Sequence, residues 1–455
     1  MKLSADHKKL LVVAFFSTFI CFFNQTTVNP ALPTIIADFA ITASTAQWLL
    51  SGYLMIMALM IPINAFLVER YSIKSICIFA MGIYTVGCVL TGLGLNFYVT
   101  LLGRLFQGAG HGILMPTCMA VMLYVFPIEK RGMILGFFGL LIGFAPILGP
   151  TFSGVMVDNA SWHYIYFTVG ALAALALLGC IFIMPKENLT EVNKSKLDAL
   201  SLITSSLGFG LVLYGCSEIG AFGFTLVAFV TIGVGVLIVA YFFYRQAKIS
   251  NPMLEVSVFQ SKKFGLSIIV MCICQLAFMG AIVLFPFLIQ DVLGYSPTVS
   301  GLAMIPSAIV MGAMSPLTGK LFDKYGIRWL GLIGMAVLTI AGFCLSCLTE
   351  QSPIYMLIIF LCIRNFGASF VLSNVNTWGI NDLPTELLAH GNAVSGTFRQ
   401  IAMSFGAAIS TSVYTFVANS LPGGIADPSA GIVGINASFA YQAVLCLIGF
   451  VICIF

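Results

Sequence analysis

The sequence predicts an all-α membrane protein of 14 transmembrane helices. Three observations carry that expectation. The chain of 455 residues is 60% hydrophobic and only 8% charged, against about 25% charged in an ordinary soluble domain, and its mean hydropathy is +1.06. Apolar runs long enough to cross a hydrocarbon core, about 20 residues each, recur from end to end with no polar block large enough to fold alone. The basic residues, finally, fall into clusters at every second boundary between runs.

Cutting the chain at charge clusters and Gly/Pro/Asn turns gives spans near 9–34, 44–68, 75–95, 98–126, 131–157, 161–185, 197–217, 221–244, 263–290, 297–322, 327–348, 353–380, 388–419 and 435–455. The first run follows "MKLSADHKK", contains polar residues and lacks a small-residue cleavage pattern, so it reads as a retained span. With the N-terminus in the cytoplasm, all but three of the 20 Lys and Arg residues fall in cytoplasmic segments, which is the asymmetry that orients multi-pass proteins. The three exceptions, Arg104, Arg364 and Arg399, lie within spans. The 13 cysteines lie mostly in apolar runs and read as small buried side chains.

Charged motifs occur twice. "AFLVERYSIK" after the second span matches "GKLFDKYGIR" after the tenth, "GRLFQGAG" in the fourth matches "IRNFGASF" in the twelfth, and "FPIEKRG" pairs with "LPTELLAHG", the copies lying 254 to 260 positions apart. Copies eight spans apart imply two six-helix halves, residues 1–190 and 251–455, separated by an inserted transmembrane hairpin in 191–250. Internal repeats of this kind are a transporter signature.

These motifs resemble those of the major facilitator superfamily. "GKLFDKYGIR" is similar to its cytoplasmic loop signature, "LGRLFQGAG" to its fourth-span arginine motif, and "APILGPTFSG" to the Gly-Pro motif of its exporters. "FNQTTVNPALP" and "GNAVSGTFRQIAMSFGAA" resemble the first and thirteenth spans of its 14-span drug:proton antiporter branch. The resemblance covers the whole chain. It implies alternating access, export of small molecules, and a conformational lock formed by Glu69, Arg70 and Lys74 in one half and Asp323, Lys324 and Arg328 in the other. The first lock copy departs from the pattern, with Ala65 and Ser72 for glycines and Glu69 for aspartate, so a looser lock is expected there.

Gly143, Pro146, Gly149, Pro150 and Gly154 in the fifth span read as a hinge, because proline removes backbone donors and glycine permits close helix approach. A charge inside the membrane costs at least about 2.5 kcal/mol on insertion scales, so Arg104 is expected to be paired or to face a cavity. It shares one helical stripe with Gln107 and His111. Asn24 and Thr27 on the first span, Trp48, Met115, Asn374, Asn376, Trp378 and Arg399 complete the expected substrate cavity, with methionines and aromatics supplying a broad apolar surface.

In the resembling branch the first-span motif begins with an aspartate that carries the proton. Here that position is Asn24, and an amide cannot titrate. The acidic residues fall in loops or near span ends, with Asp38 and Asp291 placed in outer loops and Glu218 at the outer end of the hairpin. Three readings stay open: His111, with an ordinary pKa of about 6.5, carries the proton; the protein is a facilitator or couples to the substrate's own charge; or Asp38 or Glu218 lies deeper than the boundaries imply. A cavity with arginine and amides but no acid favours neutral or anionic amphipathic substrates.

A membrane enzyme would need a nucleophile, a metal cluster or an acid pair, and no HExxH, GxSxG, CxxC pair or P-loop is present. No metal, cofactor or nucleic acid is therefore expected. Repeated locks and the Gly-Pro hinge favour a carrier over a channel. The competing reading on the same fold is a lipid or glycolipid flippase. The expected setting is a multi-pass monomer in the cell membrane of a bacterium, with the bilayer, a small-molecule or lipid substrate and protons as its partners.

Overall fold

The computed structural model describes residues 5–125, 148–186, 198–249, 252, 255–384 and 387–454. Among these residues every long element is a helix. The first span is two helices, α1 (Ala5–Gln25) and α2 (Val28–Phe39), bent by 50° at the break. Pro30 explains the bend: it lacks an N–H, and its ring opposes the carbonyl of Thr26, four residues earlier. Thr27 adds to it by turning its hydroxyl back to the Asn24 carbonyl, 3.0 Å away, a local bond that competes with the helix ladder.

There follow α3 (Ala43–Ala46), α4 (Trp48–Arg70), α5 (Ile73–Leu93), α6 (Phe97–Val125), α7 (148–159) and α8 (Trp162–Phe182). The remaining helices are α9 (Ala199–Phe222), α10 (Leu226–Gln246), α11 (Lys262–Phe287), α12 (Pro297–Tyr325), α13 (Ile327–Leu345), α14 (Ile354–Ile380), α15 (Leu388–Asn419) and α16 (Pro428–Ile454). Their starts follow the usual chemistry of helix N-termini. Ser72, Ser161, Asp198, Thr225, Ser261 and Ser296 each accept a backbone N–H from the first turn of the helix they precede.

Among the described residues eleven helices are long and apolar enough to cross a membrane, or 12 if the bent pair is one span. The 29-residue α6, which carries Arg104, Gln107 and His111, is not among the eleven. Most of the expected fifth span, including Gly143 and Pro146, lies outside the described residues. Acids read from the sequence as lying in outer loops or at a span end sit inside helices, among them Asp38 near the end of α2, Asp158 in α7, Glu218 in α9, and Asp291 on a π-helical turn, Leu288–Val292, that prolongs α11.

Helices pack in two groups. In one, α5 lies against α6 and α8, α4 against α6, and α1 against α6; in the other, α11 lies against α14, α15 and α16, and α13 against α14 and α16. Between apolar helices in lipid, association rests on close packing of small residues. A Cβ on Gly87 of α5 would come within 2.6 Å of the Gly103 carbonyl of α6, and one on Gly334 of α13 within 2.9 Å of the Gly367 carbonyl of α14. The same device recurs in both groups, as at Gly110 against the Ala80 carbonyl and Gly406 against the Leu276 carbonyl.

The apolar core is forked. At the end opposite the N-terminus one cluster runs through both groups, from Val28, Leu32, Leu50 and Tyr53 to Leu284, Phe287, Ala407, Tyr414 and Phe439. Toward the N-terminal end it gives way to separate clusters that share no residue. One is drawn from α1, α5, α6 and α8 (Leu10, Cys77, Met122, Cys180), the other from α11, α13, α14 and α16 (Val270, Met335, Val371, Cys446). Met115 packs against the joined cluster and the first prong alike.

The pair α9 and α10 stands at the side, where α9 meets both groups. Met55 and Leu59 of α4, Phe209 and Leu213 of α9, and Ile401 and Ala408 of α15 form one apolar contact. The Ser217 hydroxyl donates to the Ser44 carbonyl of α3, and the Ser412 hydroxyl of α15 donates to the Cys216 carbonyl. At the base of the pair Arg245 and Asp198 form an ion pair, and there hydrogen bonds from Arg245 and Ser201 outweigh burial and hold the Asp198 carboxyl below its usual range.

Candidate functional site

The break between α1 and α2 delivers Asn24 and Thr27 to the centre of the first helix group, where both are fully buried. The Asn24 amide donates to the Tyr84 hydroxyl and to Gln107 Oε1, each at 2.8 Å, and its own oxygen accepts from Thr27 Oγ1 at 2.9 Å. Gln107 Oε1 also accepts from Arg104 Nη1 at 2.8 Å, while Gln107 Nε2 donates to Thr91 Oγ1 at 2.9 Å. One buried network thus joins α1, α5 and α6.

Arg104 is fully buried. No carboxylate pairs with it: the three ion pairs among the described residues are Lys9–Asp6, Arg245–Asp198 and Lys263–Asp382. A buried cation without a partner is costly, and neutral groups meet that cost here. Nε donates to the Leu49 carbonyl of α4 at 2.9 Å, and the guanidinium lies 4.4 Å from the Tyr53 ring centroid and 5.8 Å from that of Tyr166, within the range of cation–π attraction.

His111 is fully buried two turns beyond Arg104 on α6. Its Nδ1 is 2.6 Å from the Tyr53 hydroxyl, and the Phe22 ring meets it edge-on at 4.6 Å. His111 Nε2, Arg104 Nη2, the Tyr166 hydroxyl and both side-chain polar atoms of Asn29 are buried without a hydrogen-bond partner in the structure. Of the groups in this cluster, His111 alone ordinarily titrates near neutrality.

The other expected cavity residues lie elsewhere. Trp48 packs at the contact of α4, α9 and α15. Asn374 donates to the Phe370 carbonyl of its own helix at 3.1 Å, and Asn376 accepts from the Ser395 hydroxyl of α15. Trp378 lines a cleft on the outer wall between α11, α13, α14 and α16. Arg399 is half-buried on α15. Arg364, the repeat counterpart of Arg104, donates to the Ala277 carbonyl and lies 5.4 Å from the Phe278 ring centroid. Tyr84, Thr91 and Tyr166 belong to the Arg104 cluster and were not expected there; a signal existed for Tyr84 and Thr91, which lie on one helical stripe of span three with Gly87.

Of the lock residues, Arg70, Lys324 and Arg328 are exposed and Lys74 is half-buried, while the side chains of Glu69 and Asp323 lie outside the described residues. Of the hinge residues, Gly149 and Gly154 mark close approaches. A Cβ on Gly149 would reach within 2.4 Å of the Phe23 carbonyl, and one on Gly154 within 2.3 Å of the Pro297 carbonyl of α12. The Pro150 carbonyl would lie 2.5 Å from a Cβ on Gly301. Beside them Asp158 accepts the Thr298 N–H at 2.8 Å. On the other seam Ser404 of α15 donates to the Ser51 carbonyl of α4 at 2.5 Å, and Thr411 donates to Gln47 Oε1 at 3.2 Å.

Many membrane-spanning helices, a forked core and a buried polar cluster at the fork define a multi-pass membrane transporter of small molecules. The chain belongs to the Major Facilitator Superfamily, whose family model matches residues 14–407. It is 37% identical to the transporter YhcA of Bacillus subtilis over 89% of this chain and 76% of that one. It is 31% identical to the lincomycin resistance protein LmrB of the same organism over 97% and 94%. Its fold matches a bacterial homologue of the lysosomal transporter Spinster, solved inward-facing and unoccupied, with a TM-score of 0.71 at 16% identity over 98% and 96% of the two chains.

Proposed function

We propose that this protein exports neutral or anionic amphipathic small molecules by alternating access and that the structure represents its inward-facing state. The forked core carries the reading. Basic residues cluster at the N-terminal end and mark it as cytoplasmic, so the joined cluster lies at the outer side and the gap between the prongs opens inward. Gly154 against Pro297 and Ser404 against Ser51 are the outer contacts that an outward-facing state must part. The resistance name of LmrB supports export over uptake.

The proposed architecture has 14 spans. Counting α6 and the segment 131–157 with the 12 apolar spans gives six helices in residues 1–190, the hairpin in 191–250 and six in 251–455. The substrate would enter below Met115, between the prongs. The lock and hinge roles of the resembling motifs apply to the same moving parts.

Proton coupling is assigned to His111, because Asn24 cannot titrate and no acid joins its network. The experiment is transport by reconstituted protein against a substrate panel, with and without a pH gradient. Gradient-driven accumulation lost in His111→Gln supports the assignment; gradient-driven accumulation that survives His111→Gln rejects it. Transport indifferent to the gradient makes the protein an uncoupled facilitator. A second reading, a lipid or glycolipid flippase, draws on the unpaired guanidinium nitrogens of Arg104 and Arg364, and headgroup-dependent flipping in vesicles would establish it instead.

A further inference from the structure

The cleft that holds Trp378 is separate from the Arg104 cluster and opens on the lipid-facing wall. Its volume is about 330 Å³, and Leu266 and Val270 of α11, Val375 and Trp378 of α14, and Ile452 of α16 supply apolar walls. Its one charged lining residue is Arg328, in the first turn of α13. That arginine is exposed and forms no ion pair among the described residues; Asp382, just past the end of α14, is taken by Lys263 at 2.8 Å, and the side chain of Asp323, at the end of α12, lies outside the described residues.

Depth is given by the neighbours of Arg328. Tyr325 is 55% exposed and Trp329 63% exposed, and amphipathic aromatics of this kind settle at the level of lipid head groups. The cleft therefore runs from the head-group zone of the leaflet at the N-terminal end into the acyl region. An apolar groove alone selects nothing in a bilayer, since lipid tails are as apolar as leucine. A lone guanidinium at its mouth does select, because its planar donors match a phosphate and it retains its charge at all relevant pH.

We propose that this cleft binds an anionic phospholipid, with its phosphodiester against Arg328 and one acyl chain along Leu266, Val270, Val375 and Trp378. Gly331 forms part of the wall, and a Cβ added there would meet Cys453 Sγ at 3.3 Å, a tight contact with a side chain and not with backbone, so a larger residue at this position projects into the cleft.

The test uses the full chain in detergent, offered equal amounts of phosphatidylglycerol and phosphatidylcholine with the same acyl chains, and reads retained lipid by native mass spectrometry. The expected preference for phosphatidylglycerol is about fivefold, corresponding to about 1 kcal/mol for one basic residue near an anionic surface. Arg328→Gln should bring the two lipids to parity, and Gly331→Leu should remove the retained lipid. In a variant keeping Trp378 as its only tryptophan, phosphatidylglycerol brominated along the acyl chain should quench fluorescence more than its phosphatidylcholine counterpart. Equal retention and equal quenching of both lipids overturn the proposal, as does a preference that persists in Arg328→Gln.

Discussion

Asn24 Nδ2 and Gln107 Oε1 stand 2.8 Å apart at the centre of the first helix group, so an amide donates where a carboxylate could only accept. Asn24→Leu would leave Gln107, Tyr84 and Thr27 facing an apolar side chain. A buried polar group stripped of its partner costs about 1–3 kcal/mol. The expected outcome is a lower thermal midpoint in detergent. Asn24→Asp should keep the fold while adding a second titratable group beside His111, so that gradient-driven transport survives His111→Gln in the Asn24→Asp background, measured in the same vesicles as wild type.

Gly154 has no room for a side chain. Gly154→Val places methyl groups where the Pro297 carbonyl lies, and α7 must move off α12. Transport should fall at least tenfold while the purified protein stays monodisperse, and thiol labelling of a cysteine placed beside Pro297 should rise. Gly312→Ala, a position with nothing within 4 Å of an added Cβ, should leave both readouts as in wild type. Unchanged labelling in Gly154→Val would remove the outer contact from the account.

Tyr53 supports two groups at once, its ring under Arg104 and its hydroxyl on His111. Tyr53→Phe removes the hydroxyl alone and should lower stability by about 1 kcal/mol. Tyr53→Ala removes the ring as well and should cost several-fold more, about 3–5 kcal/mol by analogy with buried aromatic truncations. Chemical or thermal denaturation of both variants compares the two contributions.

Asp382 ties the start of α11 to the end of α14. The Lys263 ammonium and then the Ser261 hydroxyl hold its carboxyl below the usual range. A carboxyl depressed by folding stabilises above its unfolded pKa, about 3.9, and that contribution disappears as pH falls through the lower folded value. Wild type should therefore melt above Asp382→Asn at neutral pH, and the gap should close only on acidification below the ordinary carboxylate range.

Much of this was legible in the sequence. The polar stripe Arg104, Gln107, His111 follows from helical spacing, and the structure gathers that stripe with Asn24 and Thr27. Trp378 was less legible: a tryptophan near the end of a span reads the same whether it faces a central gap or the outer wall, because the choice depends on which neighbours cover it. Asn374 likewise spends its amide on its own helix, an outcome that composition does not reveal. The bend at Thr26 was implicit in Pro30, but a single apolar run conceals a change of direction.

Adjacent residues of α9 bond to both helix groups, Cys216 to Ser412 of α15 and Ser217 to Ser44 of α3. On the proposed inward-facing reading, rocking that separates α3 from α15 would stretch at least one of these bonds, and the hairpin is expected to act as a spring whose rest length is that shape. Cutting one bond with Ser217→Ala should soften the spring and raise the resting share of outward-facing molecules. Distance distributions between spin labels on the ends of α4 and α15 would register the change, and an unaltered distribution would show that the hairpin rides passively with the bundle.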